Sequence, residues 1–227
     1  MDINCMYRFI QIQDAGQMAM ACKLRYQVYC EEKKWLDKAD YPSCEEKDSY
    51  DSHSAVFLAF DPDGNAAGTA RLILKDDDIS LPIGLNFQIG MRNFDRCCEI
   101  SRLAVPRNLR RGNVSIGLIR MLTRYILDQR DSLEHLYISV EERFLLALNL
   151  LGLEFVPVGP AAFCCGDVLV PTRLIVSELE SSLRKNNRSF YEWVMEDKHL
   201  LDSHGRNLLH FYTRTGDRNF TWKNGGS

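Results

Sequence analysis

No two of the eight cysteines stand at CxxC spacing: they are scattered (Cys5, Cys22, Cys30, Cys44) or adjacent (Cys97-Cys98, Cys164-Cys165). In a chain of 227 residues this is not the disulfide framework of a small secreted domain and offers no metal-ligand set, so reduced, mostly structural thiols are expected. Long apolar runs are missing too. The longest, Phe144 to Gly152, is interrupted by Asn149 and is too short to span a bilayer. The first thirty residues lack the basic start and continuous apolar core of a signal peptide, so a cytoplasmic protein without a transmembrane segment is expected. Positive charge is not in excess: 28 Lys and Arg stand against 31 Asp and Glu, a net charge of -3, which argues against nucleic acid as the partner. There is no internal repeat and no low-complexity tract.

What is present is an ordinary globular composition, 45% hydrophobic and 26% charged, in a chain long enough to bury a full core. One domain over residues 1–200 is expected, followed by a partly flexible extension over residues 201–227 that ends in Asn-Gly-Gly-Ser. Residues 4–12 alternate loosely as an opening strand. Ala15 to Trp35 is helical in pattern, with Met18, Cys22, Arg25, Val28 and Tyr29 on one face. Leu36 to Ser54 is a polar loop carrying Glu45, Glu46, Asp48 and Asp51. A hairpin follows, its strands 55–60 and 68–74 flanking the turn residues Asp61 to Asn65. Lys75 to Arg96 reads as a weakly ordered loop, and Cys97 to Val105 as a buried central strand. A helix over Asn113 to Gln129 places Val114, Leu118, Met121, Leu122 and Tyr125 inward and Arg120 and Arg124 outward. Leu133 to Val140 is a strand, Glu141 to Leu151 a helix stopped at Gly152, and Glu154 to Val158 a strand. Gly159 to Gly166 reads as a flexible wall or linker. Asp167 to Ser177 is a last strand that Pro171 would confine to an edge or break, and Ser181 to Lys198 is a helix. Strands alternating with helices around a hairpin give an α/β or α+β sheet covered by helices.

Four charged residues do not fit an apolar core. Arg25 interrupts a helical stripe, so it either snorkels to the surface or meets an acidic partner inside the fold. Arg71 shares a strand face with Ile73. In the central strand Glu99 and Ser101 alternate to one side with Leu103 and Val105, and Arg102 to the other with Ile100 and Ala104, unless a bulge intervenes. That strand runs into the basic loop Pro106 to Gly112. Within eighteen residues that contain no acid stand Arg107, Arg110, Arg111, Arg120 and Arg124, either a docking surface for an acidic partner or a solvated basic face.

Leu24-Arg25-Tyr26-Gln27-Val28-Tyr29, Trp35, Glu45 with Asp48 and Asp51, Arg71, and Glu99-Ile100-Ser101-Arg102 occur in an order that resembles the acyl-homoserine lactone autoinducer synthases. Arg-Tyr-Gln-Val-Tyr-Cys-Glu and Glu-Ile-Ser-Arg-Leu-Ala-Val are more similar to the long-chain N-acyl amino acid synthases and the acyltransferases associated with PEP-CTERM/exosortase systems. The resemblance covers roughly residues 20–130. It implies an acetyltransferase-like (GNAT) fold, a central twisted mixed sheet splayed near its centre and flanked by helices. It also implies transfer of a fatty acyl group from acyl carrier protein to an amine. The family's arginine falls on Arg25, its aromatic on Tyr29, its tryptophan on Trp35, its acidic pair on Asp48 and Asp51, and its remaining positions on Arg71, Glu99 and Arg102.

Those correspondences give expected roles. Glu99 removes the proton of the attacking amine or completes a buried ion network, with Ser101 and Arg102 beside it in the catalytic strand. Arg25, Tyr29, Trp35, Asp48, Asp51 and Arg71 shape the acceptor pocket. Arg107, Arg110, Arg111, Arg120 and Arg124 dock the carrier protein. No permanently bound cofactor is implied; the donor is acyl carrier protein or acyl-CoA. Leu109 to Val114 keeps only the central glycine of the Q/R-x-x-G-x-G/A loop of the acetyl-CoA-binding branch, which favours the single phosphodiester of carrier-bound pantetheine. The expected product is a long-chain N-acyl amino acid. An autoinducer synthase using S-adenosylmethionine and a non-catalytic carrier-binding module are the alternatives.

Overall fold

The structure is a computed structural model and describes residues 7–74, 79–89, 96–110 and 113–196. The expected extension over residues 201–227 and Arg111 lie outside them. An eight-stranded mixed sheet forms the centre, in the order β1-β2-β3-β4-β5-β8-β6 with β7 paired to β8. Its strands are β1 (Arg8–Gln11), β2 (Ser54–Phe60), β3 (Ala66–Leu74), β4 (Cys97–Ala104), β5 (His135–Val140), β6 (Val156–Pro157), β7 (Ala162–Cys164) and β8 (Asp167–Ile175). The pairs are antiparallel except β4 with β5, which is parallel.

The helices are α1 (Ala15–Tyr26), α2 (Pro82–Phe87), α3 (Val114–Asp128), α4 (Glu142–Leu150), α5 (Val176–Asn186) and α6 (Arg188–Met195). On one face of the sheet Phe57, Ala70, Leu72, Cys98, Leu136 and Leu174 join the main core with buried residues of α3, α5 and α6. The opposite face carries Arg71, Ile73, Glu99, Ser101 and Tyr137, placed there by registers Arg71↔Ser101, Ile73↔Glu99 and Glu99↔Tyr137. Leu81 and Ile83 of the α2 region cover Ile73, Cys97 and Tyr137 on that face.

Several departures from the sequence reading matter to the site. The helix expected to Trp35 is α-helical only to Tyr26 and continues as a π-helix over Gln27–Glu32, a wider turn that recurs at functional sites. The segment before β4 contains α2, opened by Pro82 in its first turn. The helix expected over Ser181 to Lys198 is two helices, α5 and α6, broken at Asn187, whose side chain caps Phe190 N. Pro171 lies inside the sheet rather than on an edge. Its carbonyl accepts from Val158 N on the β6 side, and its missing N–H falls on that side, where the two-residue strand β6 has ended.

Two irregularities make a cleft. Between the pairs Arg71↔Ser101 and Thr69↔Ala104, β3 advances by two residues and β4 by three, and Arg102 holds the extra step with a left-handed φ of 52°. The β4–β5 ladder stops at Ile100↔Ile138, although β4 continues to Ala104 and β5 to Val140. Past that point the two strands face each other without ladder pairing.

Candidate active site

The acidic loop orders itself before it meets an arginine. Asp48 caps the 3-10 turn Ser49–His53 by accepting from Tyr50 N at 2.9 Å, and Asp51 reaches back to accept from Asp48 N at 3.1 Å. This capping box fixes both carboxylates toward the sheet. Glu46 is drawn in beside them and is fully buried.

Three arginines close a ring with these acids. Arg25 donates twice to Asp51, both at 2.7 Å, and its Nε lies 2.8 Å from Glu46 Oε2. Arg71 donates to Asp51 Oδ1 at 2.9 Å, to Asp48 Oδ2 at 3.0 Å and to Ser101 Oγ at 3.0 Å. Arg102 donates to Asp48 Oδ2 at 3.1 Å and to Glu46 Oε1 at 3.0 Å. The cycle Arg25, Asp51, Arg71, Asp48, Arg102, Glu46 thus has equal numbers of cations and anions and no net charge. Arg25 does not snorkel: it is 0% exposed and Arg71 1%. Burial alone would raise the Asp51 carboxyl, but the Arg25 hydrogen bonds, with the charges of Arg25 and Arg71, outweigh it and hold it at about 2.

The bulge corrects the placement of Arg102. Strict alternation puts it opposite Glu99 and Ser101, whereas the left-handed step turns it to their side, where it reaches Glu46 and the Asp48 that Arg71 also binds. Its guanidinium carbon stands 5.8 Å from the centre of the Tyr29 ring, and Tyr29 in turn stacks on Trp35 at 5.8 Å. Burial pushes the Tyr29 hydroxyl up to about 12, against the charge of Arg102, so it is a neutral phenol.

Glu99 stays out of the ring. It is 4% exposed, and its Oε2 accepts from Ile83 N at 2.9 Å at the start of α2. No described arginine forms an ion pair with it. Burial pushes its carboxyl up to about 7; the Ile83 bond and the charges of Arg71 and Arg102 pull only partly the other way. A carboxyl so placed changes protonation near neutral pH. Ser101, one turn of the pleat away, accepts from Arg71 and positions it.

One cation on this face was absent from the sequence reading. Arg173 pairs in register with Tyr137 across β5–β8. Its Nε is buried with no hydrogen-bond partner, and no carboxylate among the described residues pairs with it. Two strand spacings of about 4.8 Å separate its backbone from that of Glu99.

A sequence profile of the N-acyl amino acid synthase FeeM matches residues 20–154, more than half of the chain. The chain belongs to the FeeM family of N-acyl amino acid synthases. The solved structure of FeeM, from uncultured soil microbes, is 16% identical, with 79% of this chain and 96% of that one covered and a TM-score of 0.62. A CoA-dependent acyl-homoserine lactone synthase, BjaI, solved with MTA, is 21% identical (90% and 100% covered, TM-score 0.65). The acyl-homoserine lactone synthase LasI is 17% identical (81% and 97% covered, TM-score 0.62). No curated protein matches. The FeeM-family chain is therefore an N-acyltransferase with a GNAT-like fold.

In this FeeM-family member the described arginines among those expected to dock the carrier protein do not share one exposed face. Arg107 is exposed, and its backbone N donates to Glu32 at 3.0 Å; Arg110 Nη2 donates to the same Glu32 oxygen at 2.6 Å. Arg124 is partly exposed and pairs with Asp128. Arg120, expected outward, is buried instead, because α6 ends on it: Nε donates to Trp193 O at 2.7 Å and Nη2 to Glu196 O at 2.9 Å. It caps carbonyls and has no face to offer a partner. Arg111 lies outside the described residues.

Proposed function

We propose that the protein transfers a long-chain fatty acyl group from acyl carrier protein to the α-amine of an amino acid. The observation that carries this reading is Glu99: a buried carboxyl beside a self-neutralised ion ring, at the point where β4 and β5 part. Because the ring satisfies its own charges, it is a rigid wall and not the group that takes up protons. Glu99 is free to do so.

A pantetheine arm laid into the splay meets backbone groups that have no ladder partner, a suitable place to polarise the thioester carbonyl. The neutral amine attacks the carbonyl carbon, the C–N bond forms and its proton passes to Glu99. The C–S bond then breaks, and the sulfur leaves as the pantetheine thiol on taking a proton. Beneath the splay, Ile100, Leu103, Ile138, Phe144, Leu148 and Phe155 line an apolar cavity of only about 20 Å³. That is about one water's worth of space, so an acyl chain enters by moving α4 outward. The outer residues of α4, Leu146 at 58% and Leu150 at 74% exposure, leave that motion open.

Arg173 is the cation left over to hold the acceptor's carboxylate, because Arg25, Arg71 and Arg102 are already matched. A charge-assisted hydrogen bond contributes roughly 1.5–3 kcal/mol. Arg173→Met is therefore expected to raise KM for the amino acid about ten- to a hundredfold and leave kcat within about twofold. Steady-state kinetics with the acceptor varied checks this. Arg110→Glu is expected to raise KM for acyl carrier protein about tenfold at low salt, and the gap closes as salt is added. An unchanged KM moves the docking surface elsewhere.

The reading itself is tested by mass spectrometry of products formed from long-chain acyl carrier protein, pooled amino acids and S-adenosylmethionine. An N-acyl amino acid supports it and names the acceptor. An acyl-homoserine lactone assigns the protein to autoinducer synthesis, and carrier binding without product makes it a non-catalytic module.

A further inference from the structure

The tip of the β7–β8 hairpin breaks a local rule. Cys164 pairs with Asp167, so Cys165 and Gly166 form a two-residue turn, with φ values of 54° and 89°. Two positive φ values define a type I′ turn, whose first position favours asparagine, aspartate or glycine. Here it holds a cysteine, whose Cβ the left-handed region disfavours. The left-handed step also sets two adjacent side chains, which in a strand would point to opposite faces, side by side: the Sγ atoms are 3.1 Å apart. Both thiols are free, Cys165 is exposed and Cys164 half-buried.

The tip is not an isolated loop end. A Cβ on Gly166 would stand 2.3 Å from Trp35 Cδ1, so the turn rests directly on the indole that stacks on Tyr29. The flexible wall expected from Gly159 to Gly166 is thus a hairpin seated at the mouth of the cleft.

We propose that Cys164 and Cys165 are a vicinal dithiol that closes to a reversible disulfide and signals its state through Trp35. The two thiols give up two protons and two electrons as their S–S bond forms. A low-molecular-weight disulfide accepts these as its own S–S bond breaks to two thiols. Adjacent Cα atoms are about 3.8 Å apart, below the usual 4.4–6.8 Å of disulfides, so the closed form is strained and readily reduced. Strained, exposed disulfides are the labile and regulatory kind. Closure must also shift the turn, and Gly166 has no slack against Trp35. This chemistry does not rest on the acyl-transfer reading.

The experiment equilibrates the full chain with a series of glutathione to glutathione disulfide ratios, traps free thiols with a maleimide and records tryptophan emission. The expected result is loss of two maleimide-reactive thiols together, on one peptide that is lighter by two hydrogens and spans Cys164 and Cys165. A parallel emission change is expected that Trp35→Phe abolishes without altering the thiol loss. Cys164→Ser should replace ring closure by a glutathione adduct on Cys165. Glutathione adducts on the wild-type pair, paired thiol loss that survives Cys164→Ser, or an emission change that survives Trp35→Phe overturns the proposal.

Discussion

Replacing Glu99 by glutamine lowers kcat by about 10²–10⁴-fold, the range supplied by a positioned general base, and leaves binding of acyl carrier protein unchanged. The substitution is nearly isosteric, and a glutamine oxygen can still accept from Ile83 N, as Glu99 Oε2 does at 2.9 Å. The fold has no reason to change. Because no described arginine pairs with Glu99, the loss cannot be charged to a broken ion network, as it could for any acid of the ring. A variant with kcat within about threefold of the wild type would remove Glu99 as the base.

The same group sets a pH signature. Burial raises the Glu99 carboxyl to about 7, so the wild-type rate climbs through that pH as the base form appears, a limb that Glu99→Gln lacks. Stability runs the other way. An acid whose folded pKa lies above its unfolded value favours the fold below the unfolded value, and that contribution is lost as pH rises through the folded one. Denaturant titrations should therefore show Glu99→Gln gaining on the wild type as pH rises from about 4.5 to about 7, by up to about 3 kcal/mol in all, and no further above that. The protein keeps a destabilising carboxylate at working pH, which is what a functional acid costs and a structural one does not.

How far the site could be read from sequence depended on whether each cause was local. Arg25 was legible, because helical spacing alone sets it among Met18, Cys22, Val28 and Tyr29, and burial then demands acids. Asp48 and Asp51 came with the family resemblance, but the third acid was not legible. Glu46 is central to the ring, yet it sits in a loop without periodicity next to Glu45, and nothing local says which of the two turns inward. Arg102 was assigned to the wrong face because its bulge involves no glycine or proline; only pairing with β3 reveals the extra residue. Arg120 lies on the outer arc of α3 by pattern and is buried only because α6 lands there from far along the chain. Arg173 alternates correctly within its own strand. That it shares a face with Glu99 follows from the order β4-β5-β8, which no single strand encodes. Glu32 reaches the basic loop across the fold for the same reason.

Arg25→Met destabilises the protein by about 3–5 kcal/mol, the usual result of removing one partner from a buried ion pair. In a domain of this size that lowers Tm by roughly 6–20 °C. The ring explains the size of the effect. Arg25 is 0% exposed and holds both oxygens of Asp51 as well as Glu46, which is 0% exposed too, so its loss leaves a net negative charge where water cannot reach. The deficit should also depend on pH. Asp51, held at about 2 in the native ring, stabilises the fold above its unfolded value near 3.8, and this is lost as pH falls through about 2. Without Arg25 that contribution is gone at neutral pH, so the gap to the wild type narrows as the solution is acidified below about pH 4. Adding Glu46→Gln to Arg25→Met restores equal numbers of cations and anions, and the double variant should be more stable than the sum of the single changes by about 1–3 kcal/mol. A deficit below about 1 kcal/mol for Arg25→Met would make the ring no stronger than a surface pair. The three arginines would then be no more than lining, and the rigidity that sets Glu99 apart as the proton acceptor would have to come from α2 instead.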